Sequence, residues 1–264
     1  MSKIKHNIDY DDTPSNMKTQ DYFNRFLGKT SFYRELQNAV KYFHKVVDPL
    51  YTLELGSGLG ETLVALARQR YGVYVGVDDR NDVVNIANTK ASFPCMYVCD
   101  DMEMMAKRGY CDGGAVNSFD FIVMLYSFHH ISDPLENKVE FLKNMFENMK
   151  EDAYLCIAET FLPEDKDIKG LYKRREAETY SSVYWERMYE GVHIDVTSAE
   201  EAAEFAASQE RKAGELVIAR KYEYLVEMSW LIQQAKAIGF EVKVAEYVNN
   251  INDGVVLLRK PVKE

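Results

Sequence analysis

Cysteine is scarce in this 264-residue chain: only Cys95, Cys99, Cys111 and Cys156 are present, and none stands in a Cys-x-x-Cys pair or at a Cys/His spacing. That excludes an ordinary zinc site, so no metal is expected, and the four read as reduced thiols in or near the core. No apolar run is long enough to span a bilayer. The opening MSKIKHNIDYDDTPSN is polar throughout, without the apolar stretch of a secretory signal. A cytoplasmic protein is the expectation. Basic residues are outnumbered, 32 against 42 acidic ones, for a net charge of −10. A field of that sign repels phosphate backbones and anionic lipid surfaces, so neither nucleic acid nor membrane is an expected partner. The basic cluster Lys173-Arg174-Arg175 is followed by Glu176 and Glu178 and reads as a solvated helix face. Internal repeats and low-complexity tracts are also missing.

What is present is material for a core. With 47% hydrophobic residues, the chain can form one large domain or a domain carrying a sizeable insertion. Residues 1–20 lack periodicity and read as a mobile arm. From 22 to 47 apolar residues recur at spacings of three and four, the mark of amphipathic helix. The rhythm then changes. YTLEL (51–55), VYVGV (73–77), CMYVC (95–99), FDFIVML (119–125) and AYLCIAE (153–159) are short, β-branched or aromatic, and separated by helix-compatible segments. Alternating β and α units imply a doubly wound, mostly parallel sheet with helices on both faces. Residues 163–220 interrupt the alternation with a helix-rich, charged and aromatic segment, the length of a functional insertion. YLVEMSWLIQQAKAIGF then reads as a helix, and FEVKVAEYV and GVVLLRKP as an antiparallel hairpin across the turn NNINDG. The chain therefore divides into an arm (1–20), N-terminal helices with an α/β core (21–162), an inserted lid (163–220) and a closing helix and hairpin (221–264).

The stretch LELGSGLGE leaves the first strand at Leu55 and enters a helix near Glu61, with glycine at 56, 58 and 60. Glycine there permits positive φ and close approach of a ligand to the backbone. A dinucleotide fingerprint requires glycine or alanine where Glu61 stands, and a carboxylate would oppose a pyrophosphate, which argues against a nicotinamide cofactor. Acidic residues mark the strand ends: Glu54 within the first strand, Asp78 and Asp79 after the second, Asp100 and Asp101 after the third. In a doubly wound sheet these converge on the ligand crevice. A carboxylate at the end of the second strand suits the two hydroxyls of a ribose.

ELGSGLGE, VGVDD, DDME and FDFIVMLYSFHHISDP together resemble the class I S-adenosylmethionine-dependent methyltransferases, small-molecule branch, over about residues 50–160. The resemblance implies a Rossmann-like, seven-stranded sheet and S-adenosyl-L-methionine as cofactor. It implies that Gly56, Ser57, Gly58 and Gly60 line the methionine part and that Glu54 orders the loop and its ammonium site. Asp78, with Asp79 beside it, would hold the ribose hydroxyls. Asp100 and Asp101 both stand where adenine is recognised, and DMEMM favours Asp101 with the Met102 backbone. Leu125 and Tyr126 would flank the methyl-bearing sulfonium. The catalytic candidates are His130, Tyr126 and Glu159, although the His-His pair, His129 included, recurs in that branch across unrelated acceptors and so suits a scaffold role. The chain departs from the pattern in carrying cysteine before the Asp pair and in its long connection 107–118, which implies an altered adenine edge.

The expected reaction is in-line methyl transfer to oxygen, nitrogen or carbon of a small molecule in a lidded pocket. A base is required only where the acceptor must lose a proton. Tyr172, Tyr180, Tyr184, Trp185, Met188, Tyr189 and His193 of the insertion are candidates for the acceptor pocket, with Tyr10, Tyr22 and Tyr33 closing its other side. A cofactor-binding partner or sensor without turnover, and a protein or RNA methyltransferase, are the alternative readings; a homodimer is left open.

Overall fold

The computed structural model describes residues 31–91, 94–131, 135–165, 171 and 225–263. Helix α1 (Ser31–Val47) precedes the alternating series β1 (Tyr51–Leu55), α2 (Glu61–Ala67), β2 (Val73–Asp78), α3 (Asn81–Lys90), β3 (Cys95–Cys99), α4 (Met102–Arg108), β4 (Phe121–Leu125), α5 (Leu135–Asn148) and β5 (Tyr154–Thr160). Helix α6 (Met228–Ile238) and strands β6 (Glu241–Tyr247) and β7 (Asp253–Arg259) complete it. The strands form one seven-stranded sheet in the order β3-β2-β1-β4-β5-β7-β6. Strands β1 to β5 run parallel, and β7 enters antiparallel between β5 and β6. The expected doubly wound architecture with its closing hairpin is therefore present.

Both faces of the sheet are covered, which is why its strands read as continuous apolar runs. Leu53, Leu55, Val75, Val77, Ile122, Met124, Leu155 and Ile157 face α4, α5 and α6, where Met105, Leu142, Met145 and Leu231 meet them. The alternate residues, among them Tyr74, Tyr97, Phe121, Val123, Leu125 and Cys156, face α1, α2 and α3 through Leu36, Val40, Leu63, Leu66 and Val84. Each fully buried leucine contributes ~2 kcal/mol of apolar transfer. Strand β6 closes one edge with polar residues, where Glu241 meets Lys243 at 2.6 Å and Arg259 at 3.1 Å. Charge on an edge strand blocks further pairing.

The fourth strand is shorter than expected, starting at Phe121 instead of Phe119. Asp120, just before it, still bonds both neighbouring strands, its amide donating to the Tyr51 carbonyl and its carbonyl accepting the Tyr154 amide, both at 2.9 Å, while its Oδ2 accepts the amides of Leu50 and Tyr51, also at 2.9 Å. The long connection before it folds into a small hairpin (Tyr110–Cys111 with Gly114–Ala115) and a 3-10 turn, and it places Cys111, Val116 and Phe119 in the core. Not all four thiols lie in or near the core as expected: Cys111 and Cys156 are buried, but Cys95 is half-buried and Cys99 exposed, since β3 is the sheet's other edge. The arm and most of the proposed insertion, including Tyr10, Tyr22, Tyr172, Tyr180, Tyr184, Trp185, Met188, Tyr189 and His193, lie outside the described residues.

Candidate functional site

The chain runs outward from β1 through β2 to β3, then returns to β4 on the other side of β1, so a topological switch lies between β1 and β4. Crevices form outside the carboxyl ends of strands at such a point. The glycine loop lies there. Gly56 and Ser57 donate their amides to the Val77 carbonyl at 2.8 and 2.9 Å, which carries the β1–β2 ladder into the loop. Gly56, Gly58 and Gly60 have φ of 72°, 51° and 80°, conformations that side chains with a Cβ resist. A Cβ on Gly56 would run into Ser127, and one on Gly60 into the Tyr97 ring. Tyr97 donates its hydroxyl to the Gly60 carbonyl at 3.0 Å, and Ser127 donates to the Leu55 carbonyl at 2.6 Å. The cradle is thus held from β3 on one side and from β4 on the other.

Glu54 lies beneath the loop and is buried. Thr62 and the Leu63 amide bond to its carboxyl. Oε2 has no hydrogen-bond partner among the described residues, and neither has the buried Ser57 Oγ. Burial, with Asp78 and Glu61 nearby, pushes the Glu54 carboxyl up to about 8, against the pull of its hydrogen bonds. Near neutrality it keeps its proton unless a cation comes close. Asp78 accepts the Gly58 amide at 2.9 Å on Oδ2 and the Arg80 amide at 3.1 Å on Oδ1. Burial raises it to about 6 despite those bonds. Each carboxylate oxygen has a second lone-pair direction, so Asp78 can take two further donors. Asp79 is exposed, and its carbonyl accepts the Cys99 thiol at 3.6 Å.

The two acids after β3 are placed differently. Asp100 is ion-paired with Arg108 and accepts the Asp101 amide at 2.9 Å. Asp101 caps α4, accepting Glu103 and Met104 amides on Oδ1 at 2.8 and 3.0 Å. Met102, the first residue of α4, is half-buried.

Leu125 ends β4 buried, and Tyr126 follows it with a φ of 51°. A non-glycine residue in that region costs ~1–3 kcal/mol and persists only where its surroundings hold it. Here the Tyr126 amide donates to Ala158 at 2.9 Å, the hydroxyl donates to Asp253 Oδ2 at 2.8 Å, and the ring stacks on Tyr33 at 6.0 Å. Tyr33 in turn lies 3.2 Å from Thr62 Oγ1, and burial raises its phenol above the ordinary range. A 3-10 turn (Phe128–His130) carries the histidine pair. His129 meets Glu159 Oε2 through its amide at 3.2 Å and Nδ1 at 2.9 Å, and Glu159 Oε1 accepts the Thr160 amide at 2.8 Å. Burial pushes the Glu159 carboxyl up, but the facing His129 and its hydrogen bonds pull it further, leaving it below its ordinary value. His130 is half-buried, its ring 4.0 Å from that of His129. Beneath the turn, buried Lys138 donates to the Phe128 and Ile131 carbonyls at 2.7 and 2.8 Å.

Among the described residues, the cofactor-site and catalytic candidates stand at the carboxyl edge of the sheet, while the acceptor-pocket candidates, Tyr33 apart, lie outside the described residues. Tyr97, Ser127, Lys138 and Asp253 also hold the site and carry no functional signature in the sequence. Asp253 stood in a stretch read as a turn, and Tyr97 and Ser127 act on backbone that only folding brings near.

A family model described as a methyltransferase domain matches residues 24–207, more than two thirds of the chain. Solved structures share the fold at low identity. The plantazolicin methyltransferase BpumL, solved with a desmethyl analog and SAH, is 16% identical, with 92% of this chain and 90% of that one covered and a TM-score of 0.57. A Pyrococcus horikoshii OT3 protein is also 16% identical, with 90% and 98% covered and a TM-score of 0.56. Human N-acetylserotonin methyltransferase, solved with SAM, is 13% identical, with 94% of this chain covered and a TM-score of 0.51. The chain spans only 60% of that human protein's length. No curated relative matches the chain. Among the described residues no helix is long and apolar enough to cross a membrane.

Proposed function

From a chain that belongs to the methyltransferase domain family, we propose an S-adenosylmethionine-dependent enzyme that methylates a small molecule. The observation that carries the cofactor reading is the pairing of Glu54 with Asp78 around a glycine loop at the switch point. The residues fit such a group. The glycine loop is held in its positive-φ turn by Tyr97 and Ser127, and beneath it Glu54 presents a buried oxygen with no partner among the described residues. Glu54 would face the ammonium, Asp78 the ribose hydroxyls, and Asp101 with the Met102 backbone the adenine. When bound, S-adenosylmethionine supplies an electrophilic methyl group on a cationic sulfur.

The chain's own residues then have two tasks. The first is alignment: the held Tyr126 and buried Leu125 wall the crevice beside β4 and keep it poor in water. The second is proton handling, needed only for a hydroxyl or ammonium acceptor. With Glu159 accepting from Nδ1, His129 has Nε2 as its basic nitrogen, the arrangement of an oriented base. The geometry therefore supports His129 over His130 for that role, with Glu159 orienting it. A small-molecule acceptor is supported by the naming of N-acetylserotonin in one structural neighbour and by the acidic charge, which disfavours nucleic acid.

Calorimetric titration with S-adenosylmethionine and S-adenosylhomocysteine tests the reading. Both should bind, and Asp78→Ala should weaken both by about 1–3 kcal/mol, the value of a partly buried hydrogen-bonding carboxylate. Lack of binding by the unaltered chain would sink the cofactor assignment. Unchanged affinity in the variant would remove Asp78 from the ribose site.

A further inference from the structure

Asp253 opens β7 and is fully buried, yet it lies on the hairpin that closes the sheet, far in sequence from the glycine loop and β4. Because β7 runs antiparallel to β5, its first residue pairs with Thr160, the last residue of β5, at the sheet's ligand-binding edge. Thr160 donates to Asp253 Oδ1 at 2.6 Å, and Tyr126 donates to Oδ2 at 2.8 Å. Asn249 donates to the same Oδ2 at 3.1 Å and reaches Glu35 of α1 at 3.0 Å. The Tyr126 ring meanwhile stacks on Tyr33 of α1. One carboxylate thus gathers β4, β5, β7 and, through Asn249, α1 around the strained tyrosine.

We infer that Asp253 is a positioning residue for the cofactor site, acting through Tyr126; the inference rests on the cofactor reading above. A hydroxyl that donates to a carboxylate is polarised, and its oxygen becomes a better acceptor. Tyr126 directly follows the strand end where the sulfonium is assigned. Holding its oxygen as an acceptor suits a positively charged or positively polarised neighbour and not a neutral thioether. The pair would therefore favour S-adenosylmethionine over its demethylated product, S-adenosylhomocysteine, and bias the site toward loading the donor and releasing the product. A phenol free to rotate would instead offer its hydrogen to the same region for part of the time.

The test is a double-mutant cycle on the full chain with Tyr126→Phe, Asp253→Asn and the two combined, titrated calorimetrically with both molecules. Tyr126→Phe keeps the ring and its stack, so the inference stays testable should Asp253→Asn fold poorly, which thermal unfolding would report. Each single variant should lose S-adenosylmethionine affinity by about fivefold to tenfold, near the net value of one ordinary hydrogen bond. Affinity for S-adenosylhomocysteine should change by less than about twofold, and the double variant should lose no more than the worse single one. Equal losses for both molecules would reveal a merely structural role and overturn the inference. So would additive losses in the double variant. Failure of the unaltered chain to bind either molecule would overturn the cofactor reading and this inference with it, and is distinguished by requiring no variant.

Discussion

Glu54 should couple cofactor binding to proton release. Its carboxyl is buried beneath the loop, with Oε2 lacking a partner among the described residues, and is held at about 8, so the empty site carries it protonated at neutral pH. Bringing an ammonium group to that oxygen favours the ionised form, and the proton must leave. At pH ~7, ionising a group with a value of about 8 costs ~1 kcal/mol of the binding free energy, a cost that falls as the pH rises. Affinity for S-adenosylmethionine should therefore rise from about pH 6 to about pH 7.5 by up to about tenfold per pH unit. The upper limit stays below the region, about 7.7 to 8, where α-amino groups titrate. Calorimetry in two buffers of different ionisation enthalpy should count close to one proton released per cofactor bound. Glu54→Gln should flatten the profile and abolish the release. The same shift makes a stability statement with the opposite slope. With the folded value raised from 4.5 to about 8, the stabilisation is present in full below 4.5 and is lost as the pH rises through about 8, ~5 kcal/mol in all. Glu54→Gln should accordingly gain stability over the unaltered empty protein as the pH is raised. A flat affinity profile without proton release, or a Gln variant with the original slope, would refute the reasoning.

Two other perturbations read out the fold around the site. Gly60→Ala places a Cβ against the Tyr97 ring at a φ of 80°, so strain and overpacking should together cost ~2–4 kcal/mol of stability, measured by denaturant unfolding, and weaken cofactor binding as the loop shifts. His44, bonded to Thr52 Oγ1 at 3.0 Å between α1 and β1, is lowered from 6.5 to about 4, first by burial and then by the nearby Arg70. Its unfolded form binds the proton more readily, so its contribution is full above 6.5 and is lost as the pH falls through about 4, up to ~3 kcal/mol. His44→Phe should remove that part of the acid sensitivity; an unfolding midpoint that tracks pH as steeply in the variant as in the original would count against it.

The alternation of short apolar strands with helical segments, the three glycines after β1 and the acids at the ends of β2 and β3 were legible in the chain itself. Each is a local property: strand periodicity, φ above zero and placement at a strand end all follow from residues within a few positions of one another. The parallel sheet and the location of the crevice follow from those patterns, because parallel strands require crossovers and the switch lies where the strand order reverses. Other features depend on residues far apart in sequence. Tyr126 meets Asp253 across 127 positions and His129 meets Glu159 across 30, and neither pairing has a local signature. That His129 and not His130 faces Glu159 was decided by the 3-10 turn, which points two adjacent rings differently and is held from below by Lys138. The high value of Glu54 was likewise hidden, since a carboxylate in a strand looks the same in sequence whether water or a closed core surrounds it. Sequence determined which groups stand at the edge of the sheet; burial and long-range pairing, which exist only in the folded chain, decided how each is charged and held.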